Sequence, residues 1–341
     1  MRGTTLRTAT VAAATTAALL LGGCSAADDV AGPESEGPAP AGLATAEPSA
    51  VPATWAYRGT ASGDGDPTRP VLVVKIDNTA RSSPQQGLGD ADLVVEELVE
   101  GGSTRLAAFF QSSYPDEVGP VRSMRATDVG IVPADGDTTI VTSGAARRTI
   151  TRIQEADLPF VEEGAAGIYR DHGRSAPYNL FADLVEIASS AETNAVRPVD
   201  YVAWGESDAY AAGEPAAEVD VRFSTYHTTT WELQGERYVV EDAFSAEDDG
   251  FAADTVLALE VEVVDAGYRD PAGNPVPESV FEGTGSATVF HGGRAVEATW
   301  TKASPSASLE LTTADGAVLT VPPGRTWIEL VPATTGSVSF E

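Results

Sequence analysis

The N-terminal half of the chain alternates short apolar runs with stretches of helical spacing. Residues 71–77 (VLVVKID) are a β-branched run typical of a buried strand. Residues 93–100 (LVVEELVE) and 138–145 (TTIVTSGA) predict two more strands, and Gly101-Gly102 predicts a tight turn after the first of these. The segments RRTITRIQEA and PYNLFADLVEIASSAET have helical spacing, with an apolar stripe in the second formed by Phe181, Leu184, Val185 and Ile187.

Beyond about residue 214 the apolar positions recur with a period of two. In TVLALEVEV the glutamates Glu260 and Glu262 point to one side, and the other side carries Leu257, Leu259, Val261 and Val263. This alternation is typical of a half-buried antiparallel strand. The stretches at 291–293 and 314–316 predict hairpin turns, so this half is expected to be mostly β.

Together these patterns predict an α/β (α+β) fold with two domains. Residues 67–205 are expected to form a layered αβ sandwich, and residues 214–341 a mostly antiparallel β domain. The acidic stretch 205–218 predicts the junction. About 285 residues exceed what one core usually organises, which also favours two domains.

The first 23 residues have the features of a secretory signal peptide. Arg2 and Arg7 precede an uncharged run that ends in Leu21-Gly22-Gly23-Cys24. Cys24 is the only cysteine of the chain and stands where a bacterial lipobox places the residue that receives lipid. We therefore expect residues 1–23 to be removed and Cys24 to carry a lipid anchor that includes palmitate. This anchor would hold the protein on the extracytoplasmic face of the cell membrane.

Residues 24–66 are expected to form a disordered tether. Between residues 25 and 54 the chain is rich in proline, has no lysine or arginine and carries few bulky apolar residues. Such a composition buries too little surface to offset the entropy of ordering. A flexible segment of this length has a typical reach of about 30 Å, so the folded part would work close to the membrane.

Acidic residues dominate the composition. Removal of the signal peptide leaves 19 basic against 51 acidic side chains. This excess opposes adsorption to nucleic acid and anionic lipid. We expect no nucleic-acid partner, and the possible partners are a cell-wall polymer or an envelope protein.

Several motifs occur in the order that is typical of one family. They are VLVVKIDNTARSSPQQGLGDADLVVEELVEGGSTRLAAFFQSSYPDEVGPVRSMRATD, YRDHGRSAPYNLFADL, GTGSATVFHGGRAVEATWTK and PPGRTWIELVP, between about residues 67 and 333. In these motifs the chain resembles the YerB-like family of Gram-positive lipoproteins, whose domain has no assigned function. The resemblance implies a lipid anchor and an αβ domain followed by a β-rich domain. It therefore indicates where the protein is located but implies no mechanism.

Arginines are concentrated in one part of the acidic chain. Eight of the 17 arginines that remain after removal of the signal peptide lie between Arg105 and Arg174. Arg122 and Arg125 would flank the start of a helix RATDVGIV, where backbone N–H groups favour an anion. We expect Arg105, Arg122, Arg125 and Arg174 to bind a carboxylate or phosphate. The alternative is structural ion pairing with nearby acids.

Four residues are candidates for catalysis. On a strand Glu96 and Glu100 would share a face but lie about 13 Å apart, too far for a glycosidase pair. Hydrolysis would combine one of them with Asp171 and His172 of the YRDHGRSAPYNLF segment, where the imidazole could act as a general base. The alternatives are a pair between Glu100 and Arg105 across the glycine turn, and a plain charged loop at Asp171 and His172.

Other kinds of site have little support in the sequence. The chain has three histidines, without an H-x-x-x-H pattern or a cysteine pair, so we expect no metal and no cofactor. G-x-S-x-G is absent, and Ser143 is a weak nucleophile candidate. The favoured hypothesis is a non-catalytic binding or adaptor protein of the cell envelope, for an anionic wall component or a wall-synthesis partner. The alternative is a wall glycan hydrolase or transferase.

Overall fold

A computed structural model describes residues 54–191, 193–270 and 272–341. They belong to one compact unit, Ala50–Glu341. The predicted signal peptide, Cys24 and the tether up to residue 53 lie outside the described residues. Within the described part, no helix is both long enough and apolar enough to cross a membrane.

The described residues form mostly strands with a few short helices. The helices are α1 Asp128–Ile131, α2 Arg147–Glu155 and α3 Leu184–Ser190. The strands are β1 Val71–Asn78, β2 Leu93–Leu98, β3 Thr104–Phe110, β4 Thr138–Val141, β5 Phe160–Val161, β6 Ile168–Arg170, β7 Leu180–Ala182, β8 Glu214–Pro215, β9 Glu218–Arg222, β10 Thr228–Gln234, β11 Arg237–Val240, β12 Ala252–Ala253, β13 Thr255–Arg269, β14 Pro275–Val280, β15 Gly283–His291, β16 Arg294–Lys302, β17 Glu310–Thr312, β18 Thr326–Pro332 and β19 Ser337–Phe340. The α+β class predicted from the sequence is confirmed.

One large mixed sheet contains strands from both halves of the chain. Its central order is β17-β16-β15-β13-β18-β2-β3-β1-β4-β5, with β14 and β8 attached at the side. The strand β18 pairs in parallel with both β13 and β2, and it thereby joins the two halves. The predicted boundary near residues 205–214 therefore does not interrupt the sheet.

Both faces of this sheet are covered. On β1, Val71 and Val73 belong to one apolar cluster, and Leu72 and Val74 belong to another on the opposite face. Burial on both sides explains why the run VLVVKID is continuously apolar instead of alternating. The second face is covered by a smaller sheet with the order β12-β11-β10-β9-β19, in which Trp231 packs edge-on against Trp327 at 5.2 Å between ring centroids.

Three boundaries that were predicted from the sequence differ from those in the structure. The tether prediction for residues 24–66 is wrong at its C-terminal end, because Trp55 and Tyr57 are buried and Tyr57 stacks on Phe109. The helix expected from Arg125 begins only at Asp128. The helix expected to begin near Pro177 and Asn179 begins after Asp183, whose carboxylate accepts a hydrogen bond from the backbone of Glu186 at 3.0 Å. In the last case, residues 180–182 form β7 and pair with β6.

A buried ion cluster lies between the large sheet and α1. The ammonium group of Lys75 contacts a carboxylate oxygen of Glu97 at 2.7 Å and one of Asp128 at 2.6 Å, and all three side chains are fully buried. Burial raises the pKa of Glu97, Lys75 opposes the rise, and Asp128 adds to it. This cluster attaches the helix to β1 and β2.

Replacing Lys75 with methionine should destabilise the protein by about 3 to 5 kcal/mol, because two carboxyl groups stay buried without their cation. The matched variant is Lys302→Met. Lys302 is also buried, but its ammonium donates to the backbone carbonyls of Ser304 and Pro305. Its loss should be smaller, about 1 to 3 kcal/mol. Denaturant unfolding of both variants measures the difference, and equal losses would contradict the role of the cluster.

Candidate functional site

Two consecutive glutamates of β2 point to opposite faces of the large sheet. Side chains alternate along a strand, so Glu97 enters the cluster with Lys75, while Glu96 points to the face covered by the smaller sheet. Both glutamates are fully buried. The candidate site is built around Glu96.

Polar groups from two strands and one loop converge on the carboxylate of Glu96. Nε2 of His227 lies 2.8 Å from it, Asn78 donates its side-chain N–H at 2.9 Å, and the hydroxyl of Thr229 donates at 3.2 Å. The same His227 nitrogen lies 3.0 Å from the hydroxyl of Thr104. A carboxylate that accepts from several donors in a buried place is held in its charged form.

The pKa shifts of Glu96 and His227 both indicate that the two side chains form an ion pair. Burial opposes ionisation of Glu96, but hydrogen bonding and charge from His227 outweigh it, and the pKa of Glu96 is lowered. Burial likewise opposes protonation of His227, and the contact with Glu96 overcomes it, so the pKa of His227 is raised. The pair stabilises the fold above the ordinary pKa of Glu96 and below that of His227. This stabilisation is lost at either end, as the pH falls through the lowered pKa or rises through the raised one.

A second buried carboxyl, Glu329, lies beside Glu96. The two residues are direct neighbours in the parallel pairing of β18 with β2. Burial, followed by the charge of Glu96, raises the pKa of Glu329 far above its ordinary value. One oxygen of Glu329 accepts a hydrogen bond from the indole N–H of Trp231 at 2.9 Å. The raised pKa favours the neutral form of Glu329 beside the charged Glu96.

A cavity of about 370 Å³ opens in front of Glu96. Its wall combines aromatic rings, the polar groups around Glu96 and two acids, and Trp327 and Phe251 form part of its apolar base. The lining residues that carry the argument are Glu96, His227, Gln85, Tyr226, Glu241 and Asp242. Pockets of this kind, apolar with a few convergent polar groups, are typical of small-molecule sites.

Backbone contacts fix the segment that forms the outer wall. The amide of Gln85 donates to the carbonyl of Phe244 at 2.7 Å, and the amide of Ala246 donates back to Gln85 at 2.8 Å. The carboxylate of Asp249 accepts from the backbone N–H of Gly87 and Gly89. The cavity is thus made jointly by the two halves of the chain.

The arginines expected to bind an anion lie elsewhere and have partners. Arg125 forms a two-pronged ion pair with Glu100, and Arg122 lies 3.4 Å from a carboxylate oxygen of Asp77. Glu100 therefore pairs with Arg125, and the expected pair between Glu100 and Arg105 across the glycine turn is wrong.

The remaining two arginines are also held by the chain. Arg105 is buried and donates to the backbone carbonyl of Ser123 at 2.7 Å. Burial, then the nearby Arg125, lowers its pKa to about 10. Arg174 donates to the backbone carbonyls of Ser82 and Pro84, at 3.2 and 2.6 Å. Three of the four arginines lie close together, but the residues that line the 370 Å³ cavity include none of the four.

The other catalytic candidates are apart from the cavity wall. Asp171 accepts a hydrogen bond from the backbone of Gly173 in the loop between β6 and β7, and His172 is exposed there. The imidazole that pairs with Glu96 is that of His227, so the expected combination of Glu96 with His172 is wrong. Across the described ranges, no group of three or more histidine, cysteine or acidic side chains could hold a metal ion.

Sequence reasoning missed His227 and Glu329. A signal for the first was present, because His227, Thr229 and Trp231 are spaced by two and share one face of the run YHTTTW. Polar residues on the same face as a buried tryptophan require a buried polar partner. No local pattern marks Glu329, whose partner is set by strand pairing across 233 residues of sequence.

A large sheet shared by both halves of the chain and a cavity lined by both halves define a two-part α+β protein. The comparisons with known proteins show the same two parts. Residues 59–197 match the family described as "Protein of unknown function (DUF3048) N-terminal domain", and residues 219–328 match its C-terminal domain. A Bacillus subtilis (strain 168) relative named "Putative lipoprotein YerB" is 27% identical over 277 residues, covering 77% of this chain and 81% of the relative.

A crystal structure of the YerB protein from Bacillus subtilis shares this fold. It superimposes with a TM-score of 0.67 at 22% identity, and the match covers 84% of this chain and 99% of that structure. The chain belongs to the YerB-like family of two-domain proteins.

Replacing Glu96 with glutamine should cost about 1.5 to 3 kcal/mol near pH 6, because the partly buried His227 loses its charged partner. Glu329→Gln is the matched variant. The raised pKa of Glu329 means that its ionisation in the unfolded chain, above the ordinary value of 4.5, favours unfolding. Glutamine removes that penalty, so the free energy of unfolding of this variant should equal or exceed that of the native protein near neutral pH. The advantage should disappear at acidic pH.

Denaturant unfolding at about pH 4, 6 and 8 measures these differences. A larger loss for Glu329→Gln than for Glu96→Gln near neutral pH would contradict the assignment of the charged and the neutral carboxyl.

Proposed function

We propose that this chain is a lipoprotein of the cell envelope that binds a wall component in the cavity in front of Glu96. The relative named "Putative lipoprotein YerB" supports the lipoprotein assignment, and so does the sequence LGGC before residue 25. Lipid on Cys24 would hold the protein at the extracytoplasmic face of the membrane. In this position the cavity meets cell-wall polymer or proteins that build it.

The cavity is the observation that carries the binding function. Its volume of about 370 Å³ falls within the roughly 300 to 1,000 Å³ of small-molecule sites. Its polar groups are held in place by the ion pair of Glu96 with His227, so they are preorganised for a ligand. A site of this size accepts a small molecule or one unit of a polymer.

The hydrolase alternative has one observation in its favour. Glu96 and Glu329 are adjacent carboxyls whose pKa values are moved in opposite directions, a pattern found in acid–base pairs. However, Glu329 is completely buried and does not line the cavity. Glu96 already accepts hydrogen bonds from three side chains. We therefore favour binding without catalysis.

The anionic-ligand alternative depends on the arginines. Arg122 and Arg125 face carboxylates, and Arg174 binds backbone carbonyls, so an anion would compete with existing partners. This arrangement supports a structural role for the arginines more than a binding role.

The anchor is tested by Cys24→Ser in the native host. The native protein should sediment with membranes, whereas the variant should appear in the medium or the soluble fraction, because lipid attachment requires the thiol. Metabolic labelling with a palmitate analogue should mark only the native protein. Labelling of the variant, or its retention at the membrane, would contradict the anchor.

The binding function is tested by titrating the full-length protein, purified in detergent, with wall fragments of defined composition. Ala243 is an exposed residue of the cavity wall, so Ala243→Trp should fill the cavity and weaken binding by at least about tenfold. Ala303→Trp is the control, because Ala303 is exposed and lines another groove. A double variant, Arg122→Ala with Arg174→Ala, should bind as the native protein does.

Three results would change the conclusion. Loss of binding in the arginine variant alone would favour the anion surface. Release of soluble fragments that Glu96→Gln abolishes would favour hydrolysis. Absence of binding to every fragment would contradict the binding function.

A further inference from the structure

We propose that the cavity recognises an uncharged sugar ring, which stacks on Tyr226 at the cavity mouth and hydrogen-bonds to the groups around His227. This inference rests on the proposed binding function and specifies the chemical class of its ligand. Three features of the cavity support it: a held but exposed aromatic ring, polar atoms that the protein leaves unused, and the distribution of charge.

Tyr226 is 84% exposed although it lines the cavity. Its ring lies against the Gly101-Gly102 turn on the other half of the chain. A side chain at Gly102 would come within 2.9 Å of the Tyr226 ring, and Gly102 has a φ of +79° that also favours glycine. The hydroxyl of Ser224 donates to the carbonyl of Gly102 at 2.6 Å and accepts from the backbone N–H of Tyr226 at 2.9 Å.

An aromatic ring held in this way offers an apolar surface to a ligand. The backbone of Tyr226 is held by its hydrogen bond to Ser224, and one edge of the ring lies against Gly102, so stacking costs less freedom than it would on an unrestrained loop. Tyrosine is also the residue type that combines a large apolar face with a polar tip. The C–H face of a sugar ring is a matching partner.

The polar atoms of the cavity divide into used and unused groups. Glu96 accepts from His227, Asn78 and Thr229, so its oxygens are occupied. Nδ1 of His227 makes no hydrogen bond to the described residues. The side-chain oxygen of Gln85 makes none to them either, although its side-chain N–H donates to the backbone carbonyl of Asp77 at 2.7 Å. Hydroxyl groups can donate to and accept from such atoms.

The charges around the cavity disfavour a charged ligand. Neither lysine nor arginine is among the lining residues, and Glu241 and Asp242 are exposed acids at the wall. An anion would be repelled by these acids. A cation would be attracted by these exposed acids, but inside the cavity the carboxylate of Glu96 is already paired with His227 and offers it no free partner. A neutral ring with hydroxyl groups has neither disadvantage.

The test uses one sugar ring in three charge states: N-acetylglucosamine, glucosamine and N-acetylglucosamine 6-phosphate. Binding to the full-length protein in detergent is followed by saturation-transfer NMR and calorimetry. The neutral sugar should bind, and the phosphorylated form should bind at least about tenfold more weakly, because Glu241 and Asp242 repel its charge. The amino form should bind no more tightly than the neutral sugar, because the carboxylate inside the cavity is already paired with His227.

Tyr226→Ala should weaken binding of the neutral sugar about thirtyfold, the effect of losing a central aromatic contact. Tyr226→Phe should retain it, because the stacking face remains. Tyr169→Ala is the control, since Tyr169 is a partly exposed tyrosine outside the cavity wall. The exposure of Tyr226 means that the fold should not depend on its ring, and unchanged thermal unfolding of Tyr226→Ala verifies this.

The outcomes separate the two proposals. Tighter binding of the phosphorylated or amino sugar, or full affinity in Tyr226→Ala, would overturn the sugar assignment. If wall fragments still bind and Ala243→Trp still blocks them, the binding function stands without it. If neither wall fragments nor sugars bind, both proposals fail.

Discussion

Burial of an ionised carboxylate is the constraint around which this molecule is organised. Glu96 and Glu97 follow each other on a strand that is covered on both faces, so neither side chain can reach water. Removing such a charge from water costs several kcal/mol unless other groups compensate. The chain supplies Lys75 on one face and His227 on the other. Each compensating group ties a different element to the large sheet, and the second also creates the polar end of the cavity.

The pattern of apolar residues was sufficient for a strand that is buried on both faces and for a helix that buries one face. The run from Val71 predicts β1, and the spacing of RRTITRIQEA predicts α2, because in both the local preference agrees with the final environment. The stretch around Phe181 was misleading, since strand pairing with β6 replaced the helix that its spacing favours. The secondary structure of such short segments is set by tertiary strand pairing, which no local sequence signal reveals.

The site was predictable only in part, because its contacts join residues that are distant in the sequence. Glu96 was a candidate because it belongs to a dense group of glutamates that follows an apolar run, LVVEELVE. Its partner His227 lies 131 positions later in the sequence, and their contact depends on the smaller sheet packing over the second face of the large one. The arginines were overvalued, since clustering in sequence says nothing about the carboxylates that folding places beside them, as Asp77 lies beside Arg122.

The position of β18 has a consequence for biogenesis. This strand comes near the end of the chain but lies in the interior of the large sheet, between β13 and β2. The edge of β2 that faces β18 consequently has no partner until residues 326–332 have been synthesised. Long-range pairings of this kind slow folding and expose unpaired edges meanwhile. Completion of the large sheet must then await synthesis of residues 326–332, and a chain truncated before residue 326 would present a permanently open edge to aggregation.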